Sequence, residues 1–335
     1  MARISKGLQA FMAQIIDYAG LFPPARLPLE PALANYLRYR QGPDAWMLAR
    51  FVLPMSRLSE LAGRKFQPPL RLSLLGRGGP DAESWLATLA QEMAALAAFQ
   101  EAHPGQVQVE LFEARLPEDL LRAGDPDQIA ALADAAQELL GPEIRAFYEI
   151  PPPLFQGADW SALLPVAVAG LARLDGAVGF KLRCGGVEPR MIPSASQVAA
   201  ALMVCHEGDV PLKCTAGLHH PVRRRDPDLG VPTHGFVNVF GAGLLLFGAG
   251  LNRSTLEAIL QEEDPAAFAF TDQGFAWRDL ALDVKALARL RQRALFSFGS
   301  CSFDEPRDDL RGLGWLPDSS TQPASAPPAR GQDLP

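Results

Sequence analysis

Cysteine is scarce and unpatterned in this chain. Cys184, Cys205, Cys214 and Cys301 are the only four in 335 residues, and no C-x-x-C pair occurs. That spacing argues against a disulfide framework and points to reduced thiols in a cytoplasmic protein. Long apolar runs are missing too. None reaches the roughly 18 to 20 residues that cross a bilayer, and the nearest, residues 235–251, is glycine-rich and preceded by His234, so a buried core helix is expected there. Nothing after Met1 to Lys6 reads as a signal-peptide apolar core with a cleavage site. Nor is there an excess of basic charge: the formal net charge is −7, which speaks against a nucleic-acid-binding surface. The one local exception, Arg223-Arg224-Arg225, suits a small anionic ligand. Five histidines occur with no HxH or HExxH spacing.

With 48% hydrophobic and 21% charged residues, the chain can bury a large core, as one big α/β barrel or two ordinary domains. Apolar strand-like runs fall at 14–20, 47–53, 70–75, 107–113, 145–150, 178–183, 211–216 and 295–300. Helical patterns lie between them at 29–39, 82–102, 126–140, 160–174, 196–206, 234–247 and 280–294. The strands are continuously apolar, as in a parallel sheet covered on both faces. Eight such units predict an α/β fold of the (β/α)8 TIM-type, with a doubly wound sheet as the other arrangement of the same units. Residues 251–279 fit the count poorly, either as a helix pair or as an extra strand at 268–270. The barrel is expected to be a single domain over 1–316, followed at 317–335 by a polar, proline-rich disordered tail.

Two of the apolar runs carry a lysine in the middle: Gly179-Phe180-Lys181-Leu182-Arg183-Cys184-Gly185-Gly186 and Pro211-Leu212-Lys213-Cys214-Thr215-Ala216-Gly217. An unpaired charged amine in such a strand costs several kcal/mol. Desolvation and a second nearby cation both favour the neutral amine, which is the nucleophile that attacks carbonyls. Strand alternation puts Lys181 with Arg183, Lys213 with Thr215, and Phe147 with Glu149. Glu149, Lys181 and Lys213 can therefore all face the C-terminal mouth where barrel enzymes work, with the two amines on strands about 4.8 Å apart. Asp17 ends the first strand at the same mouth. The turn Gly299-Ser300-Cys301-Ser302 follows the last strand, where backbone N–H groups and hydroxyls often hold phosphate.

The lysine on strand six and the lysine on strand seven, the latter followed by a small-residue turn and then Arg223, resemble the class I, Schiff-base aldolases of the deoxyribose-phosphate aldolase type. The resemblance covers only these two strands. It implies that Lys181 forms the imine and that Lys213 depresses its pKa. Leu182-Arg183-Cys184 departs from the hydroxyl-rich turn of those enzymes, and the double histidine has no counterpart in them. The segments at 17–25 and 297–306 match no family of nameable activity.

The expected function is that of an enzyme, a carbon–carbon lyase or aldolase, acting on a small anionic carbonyl compound without a metal or other cofactor. Glu149, Asp17 or His219 would move protons. Arg183, about 6.6 Å further along its strand than Lys181, would clamp the anion together with Arg223. Thr215, His220, His234, Asn238, Ser300 and Ser302 complete the expected substrate contacts. Three other readings compete. A metal-dependent lyase or hydrolase would use His219, His220 or His234 with Glu149, Glu113 or Asp17. A thiol enzyme would use Cys301 with a histidine and Asn238 or Asp304. In a ligand-binding or scaffold barrel, the lysines would only form buried ion pairs, Lys213 with Glu149 and Lys181 with Glu113 or Asp17. Nucleic acid and membrane are not expected partners, and a homo-oligomer is compatible with the composition.

Overall fold

The computed structural model describes residues 3–317. Eight parallel strands close into a barrel: Ile16–Tyr18, Leu48–Pro54, Leu70–Leu75, Val107–Arg115, Arg145–Glu149, Gly179–Arg183, Leu212–Thr215 and Leu295–Ser300. They neighbour one another in chain order, and the eighth pairs with the first, Asp17 opposite Gly299. The (β/α)8 architecture expected from the unbroken apolar runs is therefore present. Of the expected tail, all but Pro317 lies outside the described residues.

Local chemistry sets the helix starts. Asp81 and Ser84 form a reciprocal capping box on Ala82–Ala102, and Ser194 with Gln197 does the same on Ala195–Glu207, each pairing orphan N–H donors of the first turn. The glycine-rich run becomes the helix Phe236–Ala249, buried along most of its length. It starts two residues later than its pattern suggests, because Gly235 is an extended N-cap and His234 Nε2 meets the Pro193 carbonyl at 2.8 Å.

Residues 251–283 depart most from the simple alternation. After the helix Arg253–Gln261 comes a three-stranded antiparallel sheet, Phe268–Phe270, Gly274–Trp277 and Leu280–Asp283. The extra strand at 268–270 is thus real but stands outside the barrel. The helix expected from 280 begins only at Val284, since Leu280 to Asp283 pair with Trp277 to Gly274, and the Asp283 carboxylate then caps the helix by accepting from the Ala286 N–H. This sheet packs on the N-terminal helix Lys6–Met12, where Phe11 lies against Phe270 and Phe275 with ring centroids 5.3 and 5.0 Å apart. Gly7 permits the approach, because a Cβ there would sit 2.1 Å from the Gly274 carbonyl oxygen.

Barrel interiors are usually filled by layers of branched aliphatic side chains. Here an apolar layer, with Phe147 against Phe296 (centroids 5.3 Å apart), supports a layer made of charges. That departure positions the candidate site.

Candidate active site

Inward-facing positions on the strands form a continuous ladder of alternating charge. Arg50 Nη1 lies 3.4 Å from Asp17 Oδ1, and Lys213 Nζ donates to Asp17 Oδ2 and lies 3.4 Å from Glu113 Oε1. Lys181 Nζ then lies 2.9 Å from Glu113 Oε2 and 3.0 Å from Glu149 Oε2, and Arg183 Nε donates to Glu149 Oε1 at 3.0 Å. Two hydroxyls complete it: Ser297 donates to Asp17 at 2.6 Å and Ser73 to Glu113 at 2.5 Å. Deeper in the barrel, Glu110 bridges Arg50 and Arg71. Asp17, Glu113, Glu149, Lys181 and Lys213 are all buried.

Lys181 and Lys213 stand directly opposite each other in register, as the phase of their strands predicts. Their ammonium groups are nevertheless separated by a carboxylate, because Glu113 reaches between them. Asp17 pairs with Lys213, and Lys181 takes both Glu113 and Glu149. Burial pulls the Lys181 amine down, but the two carboxylates outweigh it and hold the amine above its ordinary value. Lys181 thus favours its charged form, whereas two bare neighbouring amines would have favoured a neutral one. Burial raises Glu113, yet Lys181, Lys213 and the Ser73 hydroxyl outweigh that and bring its carboxyl down to about 2. Asp17 and Glu149 are likewise lowered by their cations against the effect of burial.

A cavity of about 440 Å³ opens above the ladder. Glu113, Glu149, Lys181 and Arg183 form part of its wall, as do Arg77, Arg115, Thr215, His219, Gly299 and Cys301. Lys213 and Asp17 are not among the lining residues and support it from below. Gly185 and Gly217 let the loops after the sixth and seventh strands touch at the rim: a Cβ on Gly185 would lie 2.7 Å from the Gly217 Cα, and Gly217 itself has φ +73°. Counting Glu110 and Arg71, the ladder sets five cations against the four carboxylates Asp17, Glu110, Glu113 and Glu149. In the cavity wall itself Arg77, Arg115, Lys181 and Arg183 face Glu113 and Glu149, and even with Glu92 behind Arg77 the cations outnumber the carboxylates, which makes the cavity attractive to an anion.

Other expected contacts separate from this centre. Arg223 does not join Arg183: it faces Glu263 at 3.6 Å, and its backbone N–H is held by Asn238 Oδ1. Asn238 Nδ2 is spent on the carbonyls of Ile259 and Glu262, so this side chain ties helices together. The adjacent histidines diverge, as consecutive residues should. His219 lines the cavity, while His220 Nδ1 meets Asp309 Oδ2 at 2.5 Å. His234 is buried on the Pro193 carbonyl, and burial pushes it down to about 4. The three histidines thus take three separate sets of partners, and among the described residues no three His, Cys, Asp or Glu side chains converge as a metal-binding group. The Ser300 hydroxyl donates to the Ser302 carbonyl, and Ser302 Oγ accepts from the Glu305 N–H, so both shape the turn.

The ladder also contains residues that the sequence reading passed over. Arg50 interrupts an apolar strand just as Lys181 does, and Ser73 and Ser297 occupy inward phases of theirs, so the same signal marked them. Arg77 had no such signal. It lies beyond the third strand and is fixed from outside the barrel, where the buried Glu92 accepts from its backbone N–H at 3.2 Å and from Nε at 3.1 Å. The chain matches no protein-family model, and a search of curated proteins finds no similar one.

Proposed function

We propose that the cavity is the active site of an enzyme that takes a small anionic carbonyl compound, and that Lys181 forms an imine with it on the way to carbon–carbon bond cleavage or formation. One observation carries this reading: Lys181 is a buried amine that reaches the cavity between two carboxylates, in a pocket whose remaining charges favour an anion. The protonated amine must first lose its proton. Glu149, 3.0 Å away, is the acceptor, and Arg183 controls its strength. When the substrate's anionic group engages the Arg183 guanidinium, Glu149 loses one of its two cationic partners and becomes more basic. The freed amine adds to the carbonyl carbon as the π pair moves to oxygen, and a nitrogen proton passes to that oxygen to give the carbinolamine. Glu149 returns the proton to the departing hydroxyl, water leaves, and the resulting iminium is the electron sink for the bond change. Lys213, paired with Asp17 and Glu113, supports the floor of the cavity. A protein of this kind with four free thiols suits the reducing cytoplasm.

Borohydride reduction in the presence of small aldehydes and keto acids tests this. A mass increment on the Lys181 peptide, absent from Lys181→Ala, is the expected result. An adduct that persists in the alanine variant moves the role to Lys213. The scaffold reading has an observation of its own, since every charged member of the ladder is already paired.

A further inference from the structure

The wall of the cavity formed by the turns after the seventh and eighth strands holds a group that the imine chemistry does not use. Cys301 Sγ lies 3.9 Å from His219 Nδ1, and Glu305 Oε2 approaches the same nitrogen at 3.5 Å. Cys301 and His219 both line the cavity. Burial opposes charging of the imidazole, but Cys301 and Glu305 outweigh it and raise His219 to about 9. The imidazole thus holds a proton more tightly than a free one, against the Cys301 sulfur and in a pocket that already favours anions. Other titratable groups surround it. The His220 ring is 6.5 Å away and engaged with Asp309, Arg224 acts on Glu305, and the Tyr18 phenol is raised by its own burial. Cys184, Cys205 and Cys214 are buried in the packing and do not line the cavity.

We propose that Cys301, activated by His219, is a second nucleophilic site in this cavity, specific for anionic carbon electrophiles of the aldehyde class. His219 takes the Cys301 thiol proton, and the resulting thiolate adds to the aldehyde carbon. A C–S bond forms as the carbonyl π pair moves to oxygen, which takes the proton from the His219 imidazolium, giving a hemithioacetal. No oxidant or reductant is needed, and the step reverses by the same path. The two contacts on Nδ1 divide the work: Glu305 stabilises the positive ring and Cys301 receives its field. The inference goes beyond the imine reading and does not depend on Lys181.

Alkylation of the intact protein with iodoacetate and, separately, iodoacetamide tests it, with each cysteine followed by peptide mass spectrometry. In both, a C–S bond forms and iodide leaves. Cys301 should react at pH 7 at least about ten-fold faster than Cys184, Cys205 or Cys214, because thiolate fraction and access set the rate. It should also prefer iodoacetate, the reverse of a free thiol, since the negative probe is drawn to the cationic cavity. His219→Asn should slow Cys301 about ten-fold and shift its rate profile to higher pH. Glu305→Gln, at a side chain 53% exposed and so safe for folding, should slow it less and in the same direction. Equal rates at all four cysteines, a preference for iodoacetamide, or an unchanged rate and pH profile in both variants would each overturn the proposal. If His219→Asn does not fold, Glu305→Gln decides alone. Alkylation is read on the cysteine peptides and the borohydride adduct on the Lys181 peptide, so failure of either site is read separately from the other.

Discussion

Replacing Lys213 by methionine removes the ammonium that touches Asp17, Ser297 and Glu113 together, at a side chain only 1% exposed. Methionine fills a similar volume, so cavity creation is minor and the charge effect is isolated. Removing one partner of a buried pair costs about 3 to 5 kcal/mol, because the other is left charged and under-compensated. Here Asp17 keeps Arg50 and Ser297, and Glu113 keeps Lys181 and Ser73, which places the expected loss near the lower end. At an unfolding entropy of roughly 2.1 cal/mol/K per residue, a domain of this size loses about 1.5 °C of Tm per kcal/mol, so the variant should melt about 4 to 6 °C lower. Adding Asp17→Asn removes the stranded carboxylate and should restore at least half of the loss. The measurement is thermal unfolding of the wild type, the two single variants and the double variant at pH 7. A wild-type melting temperature for Lys213→Met, or a double variant that loses the sum of the two singles, refutes the coupling.

Acid should destabilise the barrel in a defined window. Glu113 falls from about 4.5 when unfolded to about 2 when folded, and Asp17 and Glu149 are lowered as well. Their stabilisation is therefore complete above the unfolded values and drains away as pH drops from about 4.5 towards 2, and Glu113→Gln should flatten that part of a melting-temperature profile. An unflattened profile means that other carboxylates govern it. For the anion, inorganic phosphate, phosphorylated sugars and keto acids should raise the melting temperature of the wild type. Arg183→Ala and Arg77→Ala should each reduce the rise, while Arg223→Ala, whose side chain faces Glu263 outside the cavity, should not. A rise that disappears only in Arg223→Ala places the anion elsewhere.

The sequence displays the barrel because parallel strands buried on both faces must be apolar throughout, and that pattern survives without any tertiary information. The same rule exposes the ladder, since Lys181 and Lys213 stand out only against apolar neighbours. What it cannot carry is pairing across strands. Lys181 sits opposite Lys213 in register, yet Glu113, three strands away from Lys213, intervenes between their charges, and nothing local to either lysine records this. For the same reason Arg223 looked like a partner for Arg183: Arg183 ends one lysine-bearing strand and Arg223 follows the other, but His219 is the residue that lines the cavity and Arg223 meets Glu263 instead. In the three-stranded sheet at 268–283 the strand at 268–270 is one of the two sequence expectations, but the last strand is hidden because Leu280 to Asp283 continues smoothly into a helical pattern, and only pairing with Gly274 to Trp277 makes it a strand.

The scaffold and enzyme readings differ in what the upper ladder does for stability. Aliphatic side chains fill such a layer in an ordinary barrel, and exchanging a buried ion pair for matched neutral groups is typically neutral or stabilising by about 1 to 4 kcal/mol. Lys181→Met with Glu149→Gln is such an exchange: the net charge is unchanged, Glu113 keeps Lys213 and Ser73, and Arg183, 25% exposed, can turn to water. If Lys181 and Glu149 are there for chemistry, the double variant should melt at or above the wild-type temperature and form no borohydride adduct at position 181, while either single substitution melts lower. If they are there to fix the barrel, the double variant should melt several degrees below wild type, and no carbonyl compound should protect either protein. Melting curves and trapping on the same four proteins separate the two, because only a functional site is expected to hold a charge arrangement that the fold would be at least as stable without.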